Sequence, residues 1–371
     1  MQALQIHAGP RALQRLREHG LAPEDVRAIP AAAGGAKGIT LLPLDRFIFG
    51  HWLAGCTQTL HLLGASIGAW RMAAACRVDA DAALAQLAED YFTQSYAHAP
   101  GRFPAPQTIT SVLRTTLQQR LGGAAAAEVL AHPQRRLHVF TSRGRHLLHR
   151  PGRLRTPMGY LGAFAANAVS RRALGGWMER VVFSDPRDPL PVPLLDYPSR
   201  QVALDVGNLP EAVLASCAIP FALEPVQNVP GGPLGTYWDG GITDYHLHLD
   251  YRTLAEGLVQ PDGLGGPGAG LVLYPHFLPR VIPGWLDKAW RRRHRPTPFL
   301  DNLVLLSPRP QWVASLPNGK LPDRADFKTY GEDIAGRQHD WRRAYAESQR
   351  LADEFAQAVT GGRPIQALPL A

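Results

Sequence analysis

The sequence predicts an α/β fold around a mostly parallel sheet, and three observations lead to it. Short apolar runs alternate along the chain with stretches of helical spacing. Residues 59–76 read as strand, tight turn and helix, one half of a βαβ crossover. The composition is that of a folded chain: 371 residues, 45% hydrophobic and 19% charged, long enough to bury a sizeable core. Gly 36 and Pro 33 imply many turns and long ordered loops. No internal repeat is visible, and residues 261–270 read as a loop and not a hinge. One domain over 1–371 is therefore expected.

Each element has its own reason. Residues 4–19 place Leu4, Leu13 and Leu16 among Arg and Gln and stop at Gly20, so their later part reads as a short surface helix. Residues 26–33 are apolar and run into Gly34-Gly35. They read as a buried first strand, which Pro30 weakens. Residues 41–54, rich in Leu and Phe, read as a helix. A strand at 59–63 stops at a glycine turn, and 69–76 is a helix of small residues. Leu84, Leu87, Tyr91 and Phe92 give helical spacing to 80–96. A strand follows at 137–142. Residues 143–208, rich in Arg, Pro and Gly, read as a long excursion over the sheet edge or the site. Helical pieces are expected at 168–172 and 212–215, late strands at 271–274 and 303–306, and a closing helix at 341–358.

Charge and cysteine content narrow the function classes. Thirty-nine Lys and Arg against 31 Asp and Glu give a net charge of +8, which favours anionic partners. No basic stretch carries the interleaved aromatics of a nucleic-acid module, so nucleic acid is not an expected partner. Cys56, Cys76 and Cys217 are far apart and odd in number, which argues against a disulfide framework or a zinc site and fits a reducing cytosol. No secretory signal and no apolar run of about 18–20 residues is visible, so a cytoplasmic protein is expected, with any membrane contact peripheral.

Three short motifs carry chemistry. Gly64-Ala65-Ser66-Ile67-Gly68 matches G-x-S-x-G between an apolar strand and a small-residue helix. The serine then sits on a strained turn, the glycines allow strand and helix to approach, and the helix aims its amide end at developing negative charge. Gly34-Gly35-Ala36-Lys37-Gly38 ends the first strand, where glycines can bring N–H donors close to a ligand oxygen. The order of its residues fits neither a Walker loop nor a dinucleotide fingerprint. Tyr237-Trp238-Asp239-Gly240-Gly241 puts a carboxylate before two glycines. Burial beside Trp238 would raise its pKa towards that of a useful base. Each motif taken alone also suits a plain structural turn.

Taken together, in this order and spacing, the three motifs resemble those of patatin-like phospholipases. Ala215-Ser216-Cys217-Ala218-Ile219-Pro220 resembles the segment those proteins carry before the aspartate turn. The resemblance runs from about Ile29 to Asp244. It implies a three-layer α/β/α fold and lipid acyl hydrolysis by a Ser–Asp dyad through an acyl-serine, with no cofactor. By position it makes Ser66 the nucleophile, Asp239 the base, and Gly34, Gly35 and Ala36 the oxyanion loop. Lys37, Gly38 and Ile67 are assigned to substrate binding. Ala33 departs from the pattern, standing where the family usually has the first of three glycines. A transacylase would share the acyl-serine and is not separated from a hydrolase.

Two further features stand outside the motifs. Asp244, His246, His248 and Asp250 alternate, so a strand over 243–251 would put them on one face. That face suits either a metal or a hydrogen-bonded polar surface, and no metal is assigned. Trp285, Trp290, Arg291, Arg292 and Arg293 join interfacial aromatics to a basic run, a candidate contact with anionic membrane. The rival classes are a non-catalytic protein docking through that run and a metal-dependent hydrolase using the histidines.

Overall fold

The structure, a computed structural model, describes residues 1–99, 101–256 and 270–370. Among the described residues eleven strands form one mixed sheet: β1 (Leu4–Ala8), β2 (Val26–Ala31), β3 (Leu60–Ala65), β4 (Arg135–Gly144), β5 (Met178–Ser184), β6 (Ser199–Ala203), β7 (Val226–Gln227), β8 (Thr236–Trp238), β9 (Leu271–Pro275), β10 (Leu303–Pro308) and β11 (Leu368–Pro369). The order is β11-β1-β10-β9-β2-β3-β4-β5-β6, and β8, paired with β7, also pairs with β4. The central run β10-β9-β2-β3-β4 is parallel throughout. Helices cover both sides, giving the expected three-layer α/β/α fold with a mostly parallel sheet.

Burial explains why the central strands are continuous apolar runs. Every residue of β9 and β10 is buried, as strands sandwiched between helical layers must be. Pro30 is tolerated inside β2 because pairing with β9 stops at Ala28, so on that side no ladder donor is required of it.

The register positions the site. Ala31 pairs with Gly64, so the loop after β2 and the turn after β3 leave the sheet at the same carboxyl edge. Ala65 pairs with Phe140 of β4, and Ser142 of β4 pairs with Trp238 of β8. Asp239 thereby arrives beside the end of β3. Ligands of open α/β sheets collect at this edge.

Several expectations are corrected. Residues 4–8 form a strand, which five residues of mixed character do not announce. The helix expected over 41–54 changes pitch: a 3₁₀ segment (Gly35–Leu41) leads into an α-helix (Leu42–Phe47) and then a π turn (Ile48–Trp52). The helix at 80–96 ends at Phe92. The closing helix is two, Ile334–Glu347 and Gln349–Val359, meeting at Ser348. The excursion contains a 15-residue helix (Arg155–Val169) and extends the sheet with β5 and β6. The piece expected at 168–172 straddles a break at Ser170, whose hydroxyl accepts from Ala173 N–H and caps the next helix. The segment 243–251, considered as a strand, is instead a helical turn (Gly241–Asp244) followed by irregular chain, with Leu247 at φ 46°. The loop read at 261–270 lies, except for Gly270, outside the described residues.

Candidate active site

Ser66 stands at the junction of β3 and the helix Ile67–Ala75 with φ 57° and ψ −129°. This is a strained conformation for a residue with a side chain. The flanking glycines make the junction possible. A Cβ on Gly68 would lie 1.9 Å from the carbonyl oxygen of Ala31, and one on Gly64 would lie 2.4 Å from Cα of Ala69. The first amides of the helix have no intrahelical acceptor and face the serine end of the turn.

Asp239 reaches the same point from β8. Ser66 Oγ donates to Asp239 Oδ2 at 2.6 Å, although 173 positions separate the two residues. The other carboxylate oxygen, Oδ1, accepts from Gly241 N–H at 2.7 Å, a bond that requires the tight Asp-Gly-Gly turn. Ser142 Oγ donates to the Asp239 carbonyl at 2.9 Å. Burial pushes the Asp239 carboxyl up to about 6, against the opposing effects of the Ser66 and Gly241 hydrogen bonds and of Arg324 and Lys288.

The glycine loop faces this pair. Gly35 has φ 57°, and a Cβ on Gly34 would meet the Phe277 ring at 2.4 Å. Neither Gly34 nor Gly35 donates its N–H to an acceptor within the described residues. Ala33 N–H, by contrast, donates to the Tyr245 carbonyl at 2.9 Å, and Ala33 keeps a negative φ. A methyl group is therefore accommodated at Ala33, where the first of the three glycines is missing. Ala33, Gly34, Gly35 and Lys37 line a cleft together with Ser66 and Asp239.

The structure separates the remaining assignments. Gly38 and Ile67 lie beneath the loop, packed against each other, and do not line the cleft. Ala36 is buried. Lys37 lies along the cleft with Nζ 5.5 Å from the Phe277 ring centroid, and burial lowers its pKa. Lys288 and Arg324, which the motifs did not mark, line the same cleft. Burial, with Lys37 and Arg324 nearby, pushes the Lys288 ammonium down to about 8. Ser216 was also missed as an individual residue: its hydroxyl accepts from Ser66 N–H at 2.8 Å and donates to the Phe140 carbonyl at 2.6 Å. Its place in the segment before the aspartate turn was the only signal in the sequence.

The alternating acidic and histidine residues do not share a face. Asp244 is buried against Arg180 at 2.6 Å, His246 Nδ1 accepts from Ile282 N–H, His248 meets Thr297, and Asp250 pairs with Arg252. Among the described residues no group of three His, Cys, Asp or Glu is arranged to hold a metal. The three cysteines are buried and free. In the aromatic and basic stretch, Trp285 lines the cleft and Arg293 is bound to buried Asp287 at 2.7 Å. Arg291 and Arg292 are exposed.

With this geometry in place, the sequence comparisons decide the family. The Patatin-like phospholipase family model matches residues 32–246, more than half of the chain. The chain belongs to that family. This patatin-like phospholipase is a lipid acyl hydrolase and acts on lipid substrates. Among curated proteins none matches it significantly. Similar solved structures include VipD from Legionella pneumophila, at 14% identity over 95% of this chain and 70% of that one, with a TM-score of 0.34. The type III effector protein ExoU is similar at 13% identity over 89% of this chain and 54% of that one, with a TM-score of 0.28. No helix among the described residues of this patatin-like chain is long and apolar enough to cross a membrane.

Proposed function

We propose that the protein cleaves fatty-acyl esters of phospholipids through a Ser66–Asp239 dyad and an acyl-serine intermediate. The observation that carries this reading is the 2.6 Å hydrogen bond from Ser66 to Asp239, in a cleft whose wall offers the unpaired amides of Gly34 and Gly35.

Asp239 accepts the Ser66 proton as Oγ attacks the ester carbonyl. Gly34 and Gly35 N–H donate to the resulting oxyanion, and each such donor is worth about 2.7–4 kcal/mol. The proton then passes from Asp239 to the departing alcohol oxygen, the ester C–O bond breaks, and acyl-Ser66 remains. Water gives its proton to Asp239, attacks the acyl carbonyl and releases the fatty acid, and Ser66 recovers its proton. Lys37, Lys288 and Arg324 give the cleft a cationic side that suits a phosphate-bearing substrate.

The test is an active-site fluorophosphonate together with an ester panel. Labelling of the wild type, none of Ser66→Ala, and loss of phospholipid hydrolysis in both Ser66→Ala and Asp239→Asn are expected. Labelling that persists in Ser66→Ala would move the nucleophile elsewhere.

A further inference from the structure

The helix Arg155–Val169 has an outward face that water alone does not explain. Its sequence, RTPMGYLGAFAANAV, contains one charged residue, Arg155, and no acid. Thr156, Gly159, Tyr160, Ala163 and Asn167 are buried beneath it. The opposite side presents Leu154 (77% exposed), Met158 (60%), Leu161 (69%) and Val169 (82%), spaced so that they form one stripe. A helix on the surface of a soluble domain normally turns a polar face outward. A contiguous apolar stripe marks a surface meant to be covered.

The helix that carries the stripe packs its other face near the cleft. Tyr160 on the inner side of the helix packs its ring 5.5 Å from that of Trp238, next to Asp239, and 5.7 Å from that of Phe221. Phe221 is itself 61% exposed and follows Ile219 and Pro220, which line the cleft. Phe164 stacks on Trp290, beyond which lie exposed Arg291 and Arg292. Exposed Arg150, Arg153 and Arg155 stand at one end of the helix and Arg172 at the other. Apolar side chains flanked by exposed guanidinium groups match the two layers of a bilayer leaflet, acyl chains below and anionic headgroups above.

We propose that this face of helix Arg155–Val169, with Phe221 beside it and the arginines around it, docks the enzyme on an anionic lipid bilayer. Docked in this way, the enzyme is held at the leaflet that carries its substrate. The proposal rests on the reading that the cleft takes lipid esters, and it relocates the membrane contact from the tryptophans at 285 and 290, which are half-buried, to the helix packed against them.

The test uses the full chain and vesicles of phosphatidylcholine with or without phosphatidylserine. The wild type should sediment with the anionic vesicles, less so at high salt. The double variant Met158→Ser/Leu161→Ser should lose roughly tenfold or more of that binding, since two large apolar side chains leave the contact. Hydrolysis of vesicle-borne phospholipid should fall with it. Turnover of a water-soluble short-chain ester and the thermal unfolding midpoint should stay at wild-type values, because both side chains are exposed. Equal vesicle binding by wild type and variant overturns the proposal, as does a wild type that ignores vesicles. A solution dimer that the same variant splits also overturns it, by assigning the face to a second copy. A wild type that binds vesicles through this face but turns over no ester keeps the docking surface and removes the hydrolase reading instead.

Discussion

Ser216 fixes the backbone of Ser66: its hydroxyl accepts the Ser66 N–H at 2.8 Å while donating to the Phe140 carbonyl at 2.6 Å. All three groups are buried, and the bond restrains the amide of a residue whose φ is positive. Ser216 also accepts Gly240 N–H through its own carbonyl, so one residue ties the serine turn to the aspartate turn.

Ser216→Ala should therefore act on both stability and rate. A buried N–H left without an acceptor costs about 1–3 kcal/mol, read as a lowered denaturation midpoint. Loosening of the turn should lower kcat for a soluble ester by about ten- to a hundredfold, with KM little changed. Unchanged kcat would show that the strand and helix alone hold the serine.

The raised carboxyl of Asp239 fixes the direction of the pH dependence. In the proposed mechanism Asp239 acts as the ionised base, so kcat/KM should rise about tenfold per unit up to pH about 6 and then level off. Stability should run the other way. The folded state retains the Asp239 proton between the ordinary value of 3.8 and about 6, so this group's contribution to stability falls across that window as pH increases. Asp239→Asn should accordingly unfold at least as high as the wild type at neutral pH while losing about 10²–10⁴ in rate. A pH profile paired with thermal melts reads both.

Gly68 and Gly55 offer a paired test of the serine turn. A Cβ on Gly68 would lie 1.9 Å from the Ala31 carbonyl, so Gly68→Ala must part the helix from β2, at a cost of about 3 kcal/mol or more. Nothing lies within 4 Å of a Cβ on Gly55, and Gly55→Ala should be close to neutral. Urea unfolding of the two variants gives the comparison.

The pair Arg180–Asp244 anchors the helical turn that follows Asp239. Both side chains are buried, with Nη2 to Oδ1 at 2.6 Å and Nε to Oδ2 at 2.7 Å. Arg180→Met leaves the buried carboxylate of Asp244 without its cation, with the Tyr197 hydroxyl still donating to it, and should cost about 3–5 kcal/mol. Arg180→Met/Asp244→Leu should recover part of that loss, since the fully buried carboxylate is then gone and Asp196, the other partner of Arg180, is part-exposed and keeps Arg171. Equal midpoints for the single and double variants would deny the coupling.

Which elements were legible follows from how local their causes are. The strand–turn–helix at 59–76 could be read because apolar strand, glycines and small-residue helix are adjacent in sequence. The strands β6 and β11 at the two edges and β1 next to β11 are not legible, because their place comes from pairing with β5, β1 and β10 and not from their own composition. The alternation from Asp244 to Asp250 mimicked a strand. Asp244 went instead to Arg180, 64 positions earlier, and the chain turned with it.

The sequence by itself determined the family, the fold class, and which serine and which aspartate to compare, because those depend on short motifs whose glycines and carboxylate have local geometric reasons. Only the tertiary structure decided that the two side chains meet at 2.6 Å, that Ser216 braces the turn, and that Lys288 and Arg324 face the cleft. The physical reason is sheet register: the pairings of Ala65 with Phe140 and of Ser142 with Trp238 join distant segments through backbone hydrogen bonds, which no local pattern of side chains encodes.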